Sequence, residues 1–92
     1  MKPYYECHVT FLDPGYPPDD LAGWTFSRID GDPNLGAGVK CYLTRHLPER
    51  IGLDEAIGQT HYAMGFLQAK HIEVLRCKVE LVVYDTKQTK EI

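Results

Sequence analysis

Tyr4-Tyr5-Glu6-Cys7-His8-Val9-Thr10-Phe11-Leu12 alternates without interruption. Tyr5, Cys7, Val9 and Phe11 fall on one side of an extended chain and Tyr4, Glu6, His8 and Thr10 on the other, the two-residue period of a half-buried β-strand. The first side is apolar and suits a core. The second carries a carboxylate, an imidazole and hydroxyls, and belongs in water or against a ligand. A strand with two such unlike faces predicts a sheet that is covered on one side and open on the other.

Working outward, Asp13-Pro14-Gly15 and Pro17-Pro18 end the strand, and Asp19-Asp20-Leu21-Ala22-Gly23 offers at most one helical turn. Trp24 to Ile29 reads as a second strand. Val39 to Arg45 reads as a third, with Val39, Cys41 and Leu43 inward and Lys40, Tyr42 and Thr44 outward. The intervening Asp30 to Gly38 is too rich in Gly, Pro and Asp to be regular, so the two strands form a wide hairpin. Leu53, Ala56, Ile57, Met64 and Leu67 recur at three- and four-residue steps and predict one helix over Leu53 to Lys70. Asp54 and Glu55 near its start and Lys70 with His71 near its end suit the helix dipole. Val74 to Tyr84 reads as the longest strand, with Leu75, Cys77, Val79, Leu81 and Val83 inward and Arg76, Lys78, Glu80 and Val82 outward. Residues 86–92 form a polar tail.

This order predicts an α+β fold: a ferredoxin-like βαββαβ sandwich with its first helix reduced or absent, in which a four-stranded, mainly antiparallel sheet carries one main helix. The alternative is a plain four-stranded antiparallel sheet with a single helix. Either way the helix covers one sheet face, and little chain remains for the other.

Size and charge narrow the function. The 92 residues, 43% hydrophobic and 25% charged, fit a single domain over 1–92. A net charge of −3 opposes bulk attraction to nucleic acid or to an anionic membrane. No apolar run approaches the roughly 20 residues that span a bilayer, so a cytoplasmic protein without a membrane partner is expected. Cys7, Cys41 and Cys77 are odd in number, lack a C-x-x-C pair and each sit in an apolar strand pattern; they read as reduced core residues rather than a disulfide or metal framework.

Alternation places Glu6, His8, Thr10, Tyr42, Thr44, Arg76, Lys78 and Glu80 on the open face, joined by His46 if the third strand extends that far. With the first strand lying between the third and fourth, His8 and Thr10 stand beside Thr44 on one flank and Arg76 and Lys78 on the other. Imidazole moves protons near neutral pH, hydroxyls hydrogen-bond phosphoryl oxygens, and cations offset charge that builds up during transfer. The competing reading is an ordinary solvated sheet face.

Cys7-His8-Val9-Thr10-Phe11 resembles the H-x-T signature of the two-histidine phosphoesterases. The resemblance implies hydrolysis of cyclic phosphodiesters or 2′,5′-linked nucleotides, with His8 in the proton-transfer role and Thr10 on the phosphate; from their place beside these two on the open face, and not from the resemblance, Thr44, His46, Arg76 and Lys78 are expected to bind substrate. The resemblance covers about five residues. That family carries two such motifs on two lobes, whereas the remaining histidines here stand in His46-Leu47-Pro48, His61-Tyr62-Ala63 and His71-Ile72-Glu73. Catalysis of this kind therefore needs a two-fold homodimer, which would also cover the open face, or a second proton carrier such as His46.

The other histidines read as structural: His61 as a partly buried helix residue and His71 as a dipole partner. Asp30-Gly31-Asp32-Pro33-Asn34 resembles the opening of a calcium loop, but Leu35 occupies the glycine position and Cys41 that of the closing glutamate. Gly36-Ala37-Gly38 lacks the Lys-Ser/Thr and helix of a phosphate cradle. No metal and no cofactor is expected. Two functions remain open: a small phosphodiesterase-like hydrolase acting on a nucleotide or cyclic phosphate, or a noncatalytic ferredoxin-like binding or dimerisation module, such as an accessory protein of a bacterium or phage. RNA recognition lacks support, because Tyr4 and Tyr42 are not accompanied by the aromatic stacking motif.

Overall fold

The computed structural model describes residues 2–29 and 40–83. Four strands, β1 (Tyr4–Leu12), β2 (Thr25–Ile29), β3 (Lys40–Pro48) and β4 (Val74–Val82), and one helix, α1 (Leu53–Gln68), follow in the order β1-β2-β3-α1-β4, with a 3-10 turn at Glu49–Ile51. The sheet order is β2-β3-β1-β4, and every neighbouring pair is antiparallel. The fold is α+β, a four-stranded antiparallel sheet with one main helix. Because β3 and β4 both oppose β1, they run in the same direction, and α1 carries the chain over β1 from one to the other.

Most boundaries agree with the periodicity. β1 has the expected limits, and β2 begins one residue late. β3 runs on to Pro48, which brings His46 into the sheet. α1 ends at Gln68, so Lys70 and His71 lie beyond it rather than in its last turn. The Asp30–Gly38 loop with its calcium-like and glycine-rich motifs, the inward-pointing Val39, the end of β4 at Tyr84 and the 86–92 tail lie outside the described residues.

The 13–24 connection contains no helix. It is built from turns. The Gly15 N–H donates to Asp13 Oδ1 at 2.8 Å, and the Trp24 N–H donates to the Leu21 carbonyl at 3.0 Å across Ala22-Gly23. Gly15 and Gly23 hold φ of 89° and 85°, values other residues adopt only with strain. Lys70 Nζ reaches Asp19 Oδ2 at 2.8 Å and ties this connection to the end of the helix.

The core lies between the sheet and α1. Val9, Phe11, Cys41, Leu43, Ala63, Leu67 and Ile72 form one buried cluster and Tyr5, Cys7, Leu47 and Ala56 a second, with Trp24 packed against both. All the buried β1 and β3 side chains here have the expected inward parity. The helix seam differs from its expected stripe. Leu53 is 50% exposed, Ile57 and Met64 are only partly buried, and the buried line is Ala56, Thr60, Ala63 and Leu67. Small residues let the helix approach the sheet closely, and the Thr60 hydroxyl is satisfied by donating to the Ala56 carbonyl at 2.8 Å.

β4 departs from alternation once. Its pairing with β1 shifts between Thr10 and Phe11, so that Thr10 faces Arg76 while Phe11 faces Val74. The extra residue is Leu75, expected inward but 38% exposed, and Val74 packs against the core instead. Leu81 and Val83, also expected inward, are 45% and 64% exposed. Beyond α1 the chain turns through His71, the one non-glycine residue with positive φ (60°) among the described residues. The His71 N–H donates to the Gln68 carbonyl and the Ile72 N–H to the Leu67 carbonyl, while Ile72 and Leu67 share the core. This is a Schellman closure with histidine in the position usually held by glycine. No helix among the described residues is long and apolar enough to cross a membrane.

Candidate functional site on the open sheet face

Register across the sheet arranges the polar side chains in rows. Thr25, Thr44, His8 and Lys78 form one row; Ser27, Tyr42, Thr10 and Arg76 form the next; His46, Glu6 and Glu80 form a third. The sheet thus brings all six expected site residues, His8, Thr10, Thr44, His46, Arg76 and Lys78, onto three adjacent strands. Lys40, also expected on this face, is closed off from solvent.

His8 is the centre of a connected set. Its Nδ1 lies 3.1 Å from Thr44 Oγ1 and its Nε2 lies 2.5 Å from Glu6 Oε1. An ionised carboxylate only accepts hydrogen bonds, so Nε2 carries a proton and donates it to Glu6. In the neutral ring Nδ1 is then the acceptor and the Thr44 hydroxyl donates to it. The other Glu6 oxygen, Oε2, is 3.5 Å from Nε2 of His46, whose ring is in turn 4.9 Å from that of Tyr4. One carboxylate therefore serves two imidazoles, one from β1 and one from β3.

Exposure grades these groups. The His8 side chain is 25% exposed and that of His46 57%, so the first is held in place while the second has freedom to move. Thr10 is only 4% exposed. Thr44, partly exposed, is the hydroxyl that His8 reaches. Lys78 Nζ contacts Glu80 Oε1 at 2.5 Å, and this hydrogen bond, with the ammonium charge behind it, holds the Glu80 carboxyl below its ordinary range. Arg76 is exposed at the end of its row.

Glu6 joins this set although it was not among the six expected site residues. The signal was present: a carboxylate two residues before a histidine on one strand face stands beside it, at the i, i+2 distance of a pleated chain. His61, expected to be partly buried, is exposed on α1. Cys7 and Cys41 are buried and Cys77 half-buried; none of the three is in a disulfide, all lie on the covered side of the sheet, and burial raises the Cys77 thiol above its ordinary value. Among the described residues no group of three His, Cys, Asp or Glu side chains is placed to hold a metal ion.

A scan against protein-family models, a search of curated proteins and a search of solved structures found no match.

Proposed function

We propose that the open sheet face performs acid–base chemistry on a phosphodiester, with a cyclic nucleotide as the substrate class. The observation that carries this reading is the chain Glu6–His8–Thr44 with a second imidazole, His46, on the same carboxylate. A base oriented by a carboxylate and in contact with a hydroxyl is the general arrangement for drawing a proton from an attacking oxygen. In hydrolysis of a 2′,3′-cyclic phosphate, water attacks phosphorus and gives its proton to His8 Nδ1. The bond from phosphorus to one ribose oxygen breaks, and that oxygen takes a proton from His46. On substrate binding the Thr44 hydroxyl turns from His8 Nδ1 to a phosphoryl oxygen, which frees Nδ1 for the attacking water, and Arg76 with Lys78 offsets the negative charge that builds up there.

The same inference extends to architecture and setting. The order β2-β3-β1-β4, with α1 joining β3 to β4 over β1, supports a ferredoxin-like sandwich in which the 13–24 connection stands where the first helix would be. Three cysteines with no disulfide among them suit a reducing, cytoplasmic compartment.

The test is turnover of 2′,3′-cyclic nucleotides and cyclic dinucleotides by wild type, His8→Ala and Glu6→Gln. The reading expects loss of activity of about 10²-fold or more on removing His8. Equal rates for wild type and His8→Ala refute it. A second reading, a noncatalytic module that dimerises or binds across this face, is favoured by the Lys78–Glu80 pair, whose charges already answer one another within the chain, and by Thr10, which is buried from any ligand. It predicts a dimeric solution mass and no turnover; a catalytically active monomer excludes it.

A further inference from the structure

β4 is an edge of the sheet, with β1 as its only strand neighbour among the described residues. The other edge, β2, is five residues long, whereas β4 runs for nine and, past the bulge at Leu75, alternates regularly over 76–82. An edge of that length presents a row of backbone donors and acceptors with which another strand can pair. Its open-face side chains are Arg76, Lys78 and Glu80; its covered-face ones are Cys77, Val79 and the exposed Leu81. Beside this second row lies a cleft of about 330 Å³ between Leu53, Ile57, Thr60 and His61 of α1 and Cys77 and Val79 of β4. Because the helix rests on the sheet through small residues, the exposed Leu53 and the partly buried Ile57 line this flank instead of the core.

The charges along the strand choose the occupant. Two copies that pair β4 antiparallel about a two-fold axis perpendicular to the sheet keep the same face upward, so directly opposed residues share a face and the pairing centres on one residue. Centred on Val79, the axis sets Lys78 against the partner's Glu80 and Glu80 against the partner's Lys78. Lys78 and Glu80 already form an ion pair within each strand, so the four charges close a ring in which every neighbour has the opposite sign. Other centres lose this. On Lys78 the two ammonium groups would stand opposed, on Glu80 the two carboxylates, and on Cys77 the Arg76 side chain would oppose the partner's Lys78. Like charges directly opposite destabilise a strand pair and unlike charges stabilise it. A lone lysine on an edge keeps other strands away. With a glutamate two residues on, it admits a second copy in one register. There Cys77 stands opposite the partner's Leu81, and Val79 opposite its own counterpart, with Cβ atoms about 4.5–5.5 Å apart. The partner's Leu81 therefore lies at the mouth of the cleft that Cys77 and Val79 line.

We propose that a second copy of this chain docks on the β4 edge, giving a two-fold dimer with one continuous eight-stranded sheet centred on Val79. The Lys78–Glu80 ring closes it on the open face, and Leu81 of each copy covers the apolar flank of the other on the opposite side. This dimer differs from a face-to-face one. Both open faces lie on the same side of the joined sheet and stay uncovered. His8 and its counterpart are separated by three strand spacings, at least about 14 Å, so neither enters the other's site and each copy keeps its own His8 and His46. The dimer does not depend on the phosphodiester reading, since the pairing holds with or without turnover.

The experiment is sedimentation velocity of the full chain. Wild type is expected to pass from monomer to dimer between about 1 and 500 μM, as suits a small interface. Lys78→Glu sets carboxylates against the partner's Glu80, and Glu80→Lys sets ammonium groups against the partner's Lys78; each should weaken the dimer by about tenfold or more. Mixed in equal amounts, the two variants should form a heterodimer, because every carboxylate of one then stands opposite an ammonium of the other. Repair of a charge pair within one chain cannot produce that rescue. Leu81→Lys separates the edge from the open face, since Leu81 is exposed on the covered side. It should weaken the edge dimer by a similar factor while the urea midpoint of the monomer stays near wild type, whereas a face-to-face dimer would be untouched. A monomer throughout the range, a dimer no weaker in Lys78→Glu, no heterodimer in the mixture, or a dimer unaffected by Leu81→Lys would each overturn the proposal.

Discussion

Replacing Gly23 by alanine separates two physical effects that the structure places on one residue. The first is conformational. Gly23 holds φ of 85°, and an L-residue there costs about 1–2 kcal/mol. The second is steric: the added Cβ would lie 2.8 Å from Cζ and Nη1 of Arg45, closer than such atoms approach. The guanidinium is the far end of a flexible side chain, so it moves instead of clashing, at about 0.5–1.5 kcal/mol for a displaced rotamer. The expected total for Gly23→Ala is therefore about 1.5–3.5 kcal/mol. In an Arg45→Ala background only the conformational part remains, leaving a coupling of about 1 kcal/mol between the two positions. Gly15 supplies the control. Its φ is 89° but nothing lies within 4 Å of a Cβ built there, so Gly15→Ala should show the conformational cost alone in either background. Urea unfolding reads these differences directly: at this chain length about 1 kcal/mol moves the midpoint by roughly 1 M. If Gly23→Ala costs the same with and without Arg45, the close approach has no energetic content.

Other outcomes follow from single features. His71→Gly should stabilise the chain by about 0.5–1 kcal/mol in thermal or urea unfolding, because the Schellman position then no longer forces a side chain into positive φ. Leu67→Ala, at a fully buried position shared by helix and sheet, should destabilise by about 2–4 kcal/mol in the same assay. Asp19 is fully exposed, and its carboxyl is held below the ordinary range first by the hydrogen bond and then by the charge of Lys70. Its small contribution is therefore present above the ordinary carboxylate range and fades as pH falls through the lowered value. A carboxyl-carbon NMR titration should place Asp19 at higher pH in Lys70→Ala than in wild type; coincident curves would show the pair to be absent in solution. Cys7 and Cys41 should resist alkylation in the native protein and Cys77 should react slowly, all three becoming accessible in denaturant, as a mass-resolved thiol assay would record.

The parity of β1 could be read directly because each of its side chains takes the burial that alternation demands, apart from Thr10, which is buried on the otherwise open face between its register partners Tyr42 and Arg76. That parity alone placed His8, Thr44 and Lys78 in a row. β4 was harder, since inserting Leu75 shifts the alternation, and a bulge is written in pairing with a neighbour rather than in the strand's own residues. The helix seam was misjudged for a related reason. The apolar spacing selects Ala56 and Leu67, which are buried, but also the large Leu53, Ile57 and Met64, whereas close packing on a sheet selects Thr60 and Ala63, whose burial depends on a distance no sequence pattern carries. The carboxylate partner of His8 was visible by spacing but needed side-chain rotamers to become a hydrogen bond. Arg45 was silent, because its meaning comes from the Leu21–Trp24 turn above it, which offered only turn residues to read.

The strand at the middle of the sheet is the one made first. During synthesis β1 emerges with Tyr5, Cys7, Val9 and Phe11 uncovered, and neither of its neighbours exists until β3, and finally β4, has left the ribosome. Closure of the β1–β4 pair spans nearly the entire chain, so a large loop entropy is met before that pairing returns any stability. Nascent chains stalled before Val74 should therefore be protease-sensitive and prone to associate through the bare edge of β1, and release of the last strand should be the event that makes the protein resistant.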